Sequence, residues 1–384
     1  MAKNIIFCAD GTWNNPDDEV LQGKIADPPS NVFKLFNHLE GRMTSNTKVT
    51  DITGQILERE KRTADPTTQV AKYINGVGNA NNKIQEMIGG GFGAGLIKRI
   101  VRGYTFISRN YEAGDRIYII GFSRGAYTAR ALGGLIASQG LLANKFERGA
   151  EESYKLGAQA WYQYRKIGAE KRNVFATLAE AMQDLPSFIK SGKIKEEDFA
   201  RNVPIAAIAV WDTVGALGIP EYDAQNNTIS DAFRFADEVL SSKVAQGLHA
   251  VAIDEQRLLF TPTLWNKAAH VKQLVFPGAH SDVGGGYAET GLSDGALKWM
   301  VDELKLAGVL FAETIANIKP DATAPAHKPW AKLTKVTGGV GVRKFKLDSG
   351  IVAHSSVTER RNATGVLHDI GEAAKKYLPS NWLN

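Results

Sequence analysis

Short apolar runs that stop at Gly, Asp or Pro alternate along this chain with longer segments of helical period. That alternation predicts a mostly parallel central sheet with helices on both faces. Strands are expected at Asn4 to Ala9, Arg116 to Phe122, Pro204 to Trp211 and His270 to Phe276, with Gln69 to Asn75 a weaker fifth. Helices are expected at Ser30 to Leu39, behind a cap-like Ser30, and at Leu96 to Tyr111, Arg124 to Ser138 and Asp294 to Leu306. The segment from Ser356 to Tyr377 reads as interrupted but mainly helical, and His249 as a packed residue of a helical stretch.

Two longer segments interrupt the pattern. Leu141 to Val203 carries charged residues and the aromatics Tyr154, Trp161, Tyr164 and Phe175 at helical spacing, which suits a helical insertion placed to act as a lid. Gly215 to Leu264 is a second insertion that supplies the other wall of a cleft. One elaborated α/β domain over residues 1–384 accommodates both.

Chemistry enters at Gly121-Phe122-Ser123-Arg124-Gly125, which matches G-x-S-x-G. The two glycines let a strand turn sharply into a helix, so that the serine projects from the sheet edge. The pattern is weak alone, since chance supplies roughly 0.2 such matches in a chain of this composition. A second match, Gly291-Leu292-Ser293-Asp294-Gly295, is an internal control: no strand precedes it, and Ser293 reads as a helix N-cap. Upstream of Ser123, in contrast, stands Ile117-Tyr118-Ile119-Ile120, and downstream a helix start.

A serine hydroxyl becomes a nucleophile when an imidazole takes its proton and a carboxylate orients that imidazole. His280 follows an apolar run and precedes a glycine-rich loop, and Asp212 ends the strand before it, giving the chain order Ser123, Asp212, His280. Asp282 is an alternative acid and His354 an alternative base. The oxyanion donors expected are the backbone N–H of Arg124 and one from Gly11 or Thr12, where Asp10 either binds a metal or orders the loop.

Composition narrows this reading. With 43% hydrophobic and 23% charged residues in 384, the chain is globular, not disordered. The net charge of +5 is dispersed, without the basic block of a nucleic-acid binder; it suits a solvated surface and is compatible with an anionic membrane. Cys8 is the one cysteine and reads as a buried hydrophobe. No signal peptide or membrane span is legible, so synthesis in the cytoplasm is expected, with any export by a route that reads no N-terminal signal. The glycine cluster at Gly89, Gly91 and Ala94 follows a helical-looking Lys83 to Ile88 and lacks the βαβ context of a dinucleotide site. With no H-E-x-x-H, paired-cysteine or P-loop motif, neither a metal nor a cofactor is expected.

Beyond the single motifs, Ala9 to Asn14, Gly76-Val77-Gly78, Gly121 to Arg130, Val210 to Gly215, His249 to Arg257 and Phe276 to Tyr287 together resemble a bacterial family long catalogued as a domain of unknown function. That family includes the first class of type VI secretion lipase effectors. The resemblance implies an α/β-hydrolase fold and phospholipase activity through a Ser-Asp-His triad, whose roles fall on Ser123, Asp212 and His280. The expected substrate is a phospholipid acyl ester of A1 or A2 type, and the expected partners are a membrane surface and an immunity or secretion-apparatus protein. A small-ester or lipid-metabolite esterase is the near alternative, and a silent hydrolase-fold adaptor the distant one.

Overall fold

The computed structural model describes residues 2–11, 28–44, 49–50, 56–76, 92–142, 150–172, 194–214, 221–223, 228–230, 238–312, 318–331, 339–345 and 349–381. In chain order the elements are β1 (Asn4–Ala9), α1 (Asn31–His38), β2 (Arg42–Met43), β3 (Val49–Thr50), β4 (Ile56–Arg62), β5 (Gln69–Ile74), α2 (Phe92–Asn110), β6 (Arg116–Phe122), α3 (Arg124–Gln139) and α4 (Ala150–Arg172). There follow β7 (Ile205–Trp211), β8 (Glu221–Asp223), β9 (Thr228–Ser230), β10 (Gly247–Ala252), β11 (Val271–Phe276), α5 (His280–Gly284), α6 (Gly291–Leu306), β12 (Val352–Ala353) and α7 (Ser355–Asn362).

Among the described residues one large sheet runs β12-β11-β10-β7-β6-β1-β5-β4-β2, with β3 also on β4, and β8 and β9 form a separate hairpin. From β12 to β5 every pairing is parallel; β4 turns the edge antiparallel. This is an α/β fold, mostly parallel, with helices on both faces. The strand period of two sorts the apolar run of β1 between them. Ile5 and Phe7 join a core with residues of α2, α3 and α4, whereas Ile6 and Cys8 join one with α1 and α6. All four are fully buried, which is why the run carries no polar alternation.

The five expected strands form within one residue of their predicted ends, and four expected helices form where the period placed them. The differences have physical causes. Strand β4 reads Ile-Leu-Glu-Arg-Glu-Lys-Arg, yet Glu58, Glu60 and Lys61 are buried. Lys72 bridges Glu58 and Glu60 at 2.7 and 3.2 Å, Arg102 adds a second cation on Glu58, and Lys61 donates to the carbonyls of Asn37 and Leu39. Paired charge has replaced hydrophobicity as what a buried strand carries. His249 lies in strand β10, not in a helix, so the segment read as a second insertion contributes a central strand. Helix α6 starts at Gly291 behind Thr290; Ser293 is inside its first turn and donates to the Thr290 carbonyl, so it is not the N-cap. Between Ser356 and Tyr377 only α7 is helical.

In the 141–203 segment, α4 buries Ala158, Ala160 and Trp161 in the core. That part packs as a layer of the fold. Residues 173–193 of it, with Phe175, and the stretches at Lys83 to Ile88 and Gly89 to Gly91 lie outside the described residues.

Candidate active site

The sharp strand-to-helix turn forms where the motif places it. Ser123 joins β6 directly to α3 at φ 57° and ψ −122°, a conformation costly for any residue with a Cβ. Its two glycines are there for space. A Cβ on Gly121 would lie 2.3 Å from the Gly125 carbonyl oxygen, and one on Gly125 would lie 2.1 Å from the Ala9 carbonyl oxygen. The start of α3 therefore rests on the end of β1, with the amide of Arg124 in the helix's first turn, where N–H groups point outward along the axis.

The neighbouring strand delivers the carboxylate. Trp211 pairs with Phe122 in register, and its carbonyl accepts the Ser123 N–H at 3.1 Å, so Asp212 follows at the same edge as Ser123. Asp212 is fully buried at φ 36°, and its Oδ1 accepts from the Ala252 N–H at 2.9 Å.

His280 opens α5 just past β11. Its Nδ1 donates to Asp212 Oδ2 at 2.5 Å, which leaves Nε2 as the basic ring atom. The ring is wedged between Phe122, with centroids 4.6 Å apart, and the edge of Phe260 at 4.9 Å. Contact with Phe122 brings the histidine to the strand that carries Ser123. It requires Gly284, where a Cβ would lie 1.9 Å from the Phe122 ring. The His280 backbone N–H donates to Glu255 Oε2 at 3.2 Å, and Glu255 is itself clamped by Arg257.

Burial sets the charge states, with specific partners working against it. Burial alone would raise the Asp212 carboxyl. The Arg343 charge and the hydrogen bonds from His280 and Arg343 outweigh burial and hold it well below the usual carboxylate range. Burial lowers His280 below an ordinary histidine despite the carboxylate on Nδ1, so its ring is held neutral. An imidazole that is neutral, oriented and basic at Nε2, packed on the ring of the residue before a strained serine, is an arrangement able to take a hydroxyl proton.

The remaining candidates have other partners. Asp10 is buried, accepts the hydroxyls of Ser30 and Tyr73 at 2.6 Å each, and is pushed up to about 6 by burial. Of the two roles open for it, ordering the loop is the one these bonds perform. The Gly11 N–H donates to Asp10 Oδ1 at 2.7 Å, so this amide is spent on the loop and not presented to an oxyanion. Thr12 lies outside the described residues. Asp282 accepts the Ala279 N–H at 2.9 Å and pairs with His327 at 2.6 Å, so it braces α5 instead of orienting His280. His354 caps α7, bonds Ser356 at 2.9 Å and stacks on Phe276. Among the described residues no group of three or more His, Cys, Asp or Glu is placed to hold a metal ion.

Arg343 escaped the sequence reading, and the roles of Glu255 and His249, in a segment read as helical, were not drawn from it. Arg343 carries no motif and sits 131 residues beyond the carboxylate it binds. His249 lies on strand β10 and Glu255 just beyond it, where a helix and not a strand was expected. His249 accepts the Thr213 N–H at Nε2, bonds Gln273 through Nδ1, and is lowered to about 3 by burial, which makes it a neutral brace beside Asp212.

A mostly parallel sheet with helices on both faces, and a serine at a sharp strand-to-helix turn on its C-terminal edge, define an α/β protein. Within that class, the chain belongs to the family of Tle1-like type VI secretion phospholipase effectors, whose catalytic-domain model matches residues 3–303. The uncharacterized protein YEL023C of Saccharomyces cerevisiae is 28% identical over 282 residues, which is 68% of this chain and 33% of that protein. Among solved structures, the Tle1 effector bound to the VgrG spike of the type 6 secretion system is 18% identical, with a TM-score of 0.37 over 76% of this chain and 52% of the other. An uncharacterized protein from Pseudomonas aeruginosa is 17% identical, with a TM-score of 0.39 over 83% and 49%. The chain thus spans from a third to about half the length of these relatives.

Proposed function

We propose that this chain is a lipase-type serine esterase acting on phospholipid acyl esters of A1 or A2 type, with Ser123, His280 and Asp212 as its catalytic triad. The observation that carries the reading is the buried hydrogen bond of 2.5 Å from His280 Nδ1 to Asp212, beside a serine held at positive φ on the adjoining strand. Ser123 Oγ attacks the ester carbonyl while His280 Nε2 accepts its proton, and the same nitrogen returns that proton to the departing alcohol. The acyl-enzyme is then opened by a water that His280 deprotonates in turn. Asp212 holds the imidazolium formed in each half-reaction, and the Arg124 N–H is one donor to the oxyanion. Family membership supports the lipid substrate, a membrane surface as the place of action and a secretion-apparatus or immunity protein as partner.

The test is to incubate the protein and Ser123→Ala with mixed phospholipid vesicles, with a short-chain p-nitrophenyl ester and with a fluorophosphonate probe. Release of fatty acid and lysophospholipid by wild type alone is the expected result, and the lysophospholipid isomer assigns the acyl position. Turnover of the short ester without lipid release would keep the triad and remove the membrane. Absence of all three signals from a folded protein would overturn the reading.

A further inference from the structure

The family match ends at residue 303, yet a later residue reaches into the site. The Arg343 side chain is 3% exposed and meets Asp212 fork to fork, Nη1 on Oδ1 at 2.7 Å and Nη2 on Oδ2 at 2.9 Å. Nη1 also donates to the Ala252 carbonyl at 2.6 Å, and Nη2 to the Phe260 carbonyl at 2.5 Å. One guanidinium therefore joins the carboxylate that receives His280, the end of β10, and the residue whose ring edge packs on His280. Oδ2 is shared between Arg343 and the imidazole.

We propose that Arg343 is a positioning residue of the Asp212–His280 pair: its planar fork fixes the carboxylate facing Nδ1, and its charge keeps that buried carboxylate ionised. The inference rests on the catalytic reading above. A rigid two-bond fork defines the rotation of a carboxylate in a way that a single ammonium does not, and rotation at Asp212 turns directly into misalignment of Nε2. The positive charge also opposes proton uptake by the pair. The other charged or titratable groups facing the pair are Glu255 and Arg257, from the segment after β10, and His249, which burial keeps neutral. None of these replaces a cation in contact with both carboxylate oxygens.

The experiment uses the full chain as wild type, Arg343→Gln, Arg343→Lys and Ser123→Ala, with kcat and KM for a p-nitrophenyl ester measured across pH and folding checked by thermal melts. Wild-type turnover that is lost in Ser123→Ala establishes the underlying reading; its absence would fail that reading before Arg343 is tested. Given turnover, Arg343→Gln should move the acid limb of kcat/KM up by about one pH unit or more, since the pair gains a proton more readily whichever atom takes it. Arg343→Lys should leave the acid limb in place and lower kcat by about tenfold, with KM within about twofold. A folded Arg343→Gln whose limb matches wild type would overturn the proposal. If that variant does not fold, Arg343→Lys decides alone, and a wild-type kcat there would reduce Arg343 to a brace of the scaffold.

Discussion

Among the described residues two histidine–aspartate pairs have nearly the same geometry, and they behave oppositely. His280 meets Asp212 at 2.5 Å and His327 meets Asp282 at 2.6 Å, in both cases through Nδ1, and both carboxylates are buried. Burial lowers His280 below an ordinary histidine. For His327 burial acts in the same direction but is outweighed by Asp282 and then Glu289, whose Oε2 lies 3.3 Å from Nε2, so its proton is held more tightly. The surroundings make the difference. Asp212 already answers Arg343, and Arg257 adds positive charge near His280, whereas His327 has a carboxylate on each nitrogen and stacks on Tyr287. A short His–Asp contact thus goes with a lowered histidine where the ring is fully buried and a raised one where it is half-buried and a second carboxylate reaches it.

The sharpest way to break this comparison is to remove the group only one pair serves. Ser123→Ala should lower kcat/KM for ester hydrolysis by about 10⁴-fold or more with the melting temperature kept; a folded variant retaining a tenth of the activity would move the chemistry elsewhere. Next, Asp212→Asn should lower kcat by about 10⁴-fold and, by stranding Arg343, cost roughly 3–5 kcal/mol in denaturant unfolding. Asp282→Asn should instead cost about 1–3 kcal/mol and leave kcat within about tenfold, because it cuts a brace. Equal inactivity of the two folded variants would erase the distinction between the pairs.

Titration provides a finer test. The depressed His280 keeps its base form at acid pH, so the acid limb of kcat/KM should fall below the ordinary histidine value of about 6.5. The raised His327 gives stability that is fully present below its unfolded value, near 6.5, and is lost as pH rises through its higher folded value. Melting temperatures of wild type and His327→Gln between about pH 5 and 9 should therefore converge at the alkaline end, and a constant difference would remove the ion pair from the account. The smallest effect belongs to Glu289→Gln. Its partner is part-exposed, and the His327 midpoint followed by NMR should drop by only a few tenths of a unit, less than in Asp282→Asn.

What could be read from the chain was what lies close together in it. The run from Ile117 to Arg130 contains strand, turn and helix start, and local sterics alone place Ser123. His280 and Asp212 were legible as strand-end residues because β7 and β11 are continuous apolar runs. Strand β4 was illegible because its buried residues are charged, and their partners Lys72 and Arg102 come from β5 and α2. Gly11 failed as an oxyanion donor because a side chain one residue away claims its N–H, a competition that only coordinates reveal. Arg343 was invisible for a deeper reason: nothing near it in sequence says that a carboxylate 131 positions earlier is waiting.

That separation has a consequence for how the molecule comes into being. Synthesis runs from Ser123 through Asp212 and His280 to Arg343, so a chain still on the ribosome holds the first three before it holds the guanidinium seated against Asp212. Assembly of the site therefore ends with Arg343 docking at the ends of β7 and β10, and it cannot be complete before residue 343 has been made.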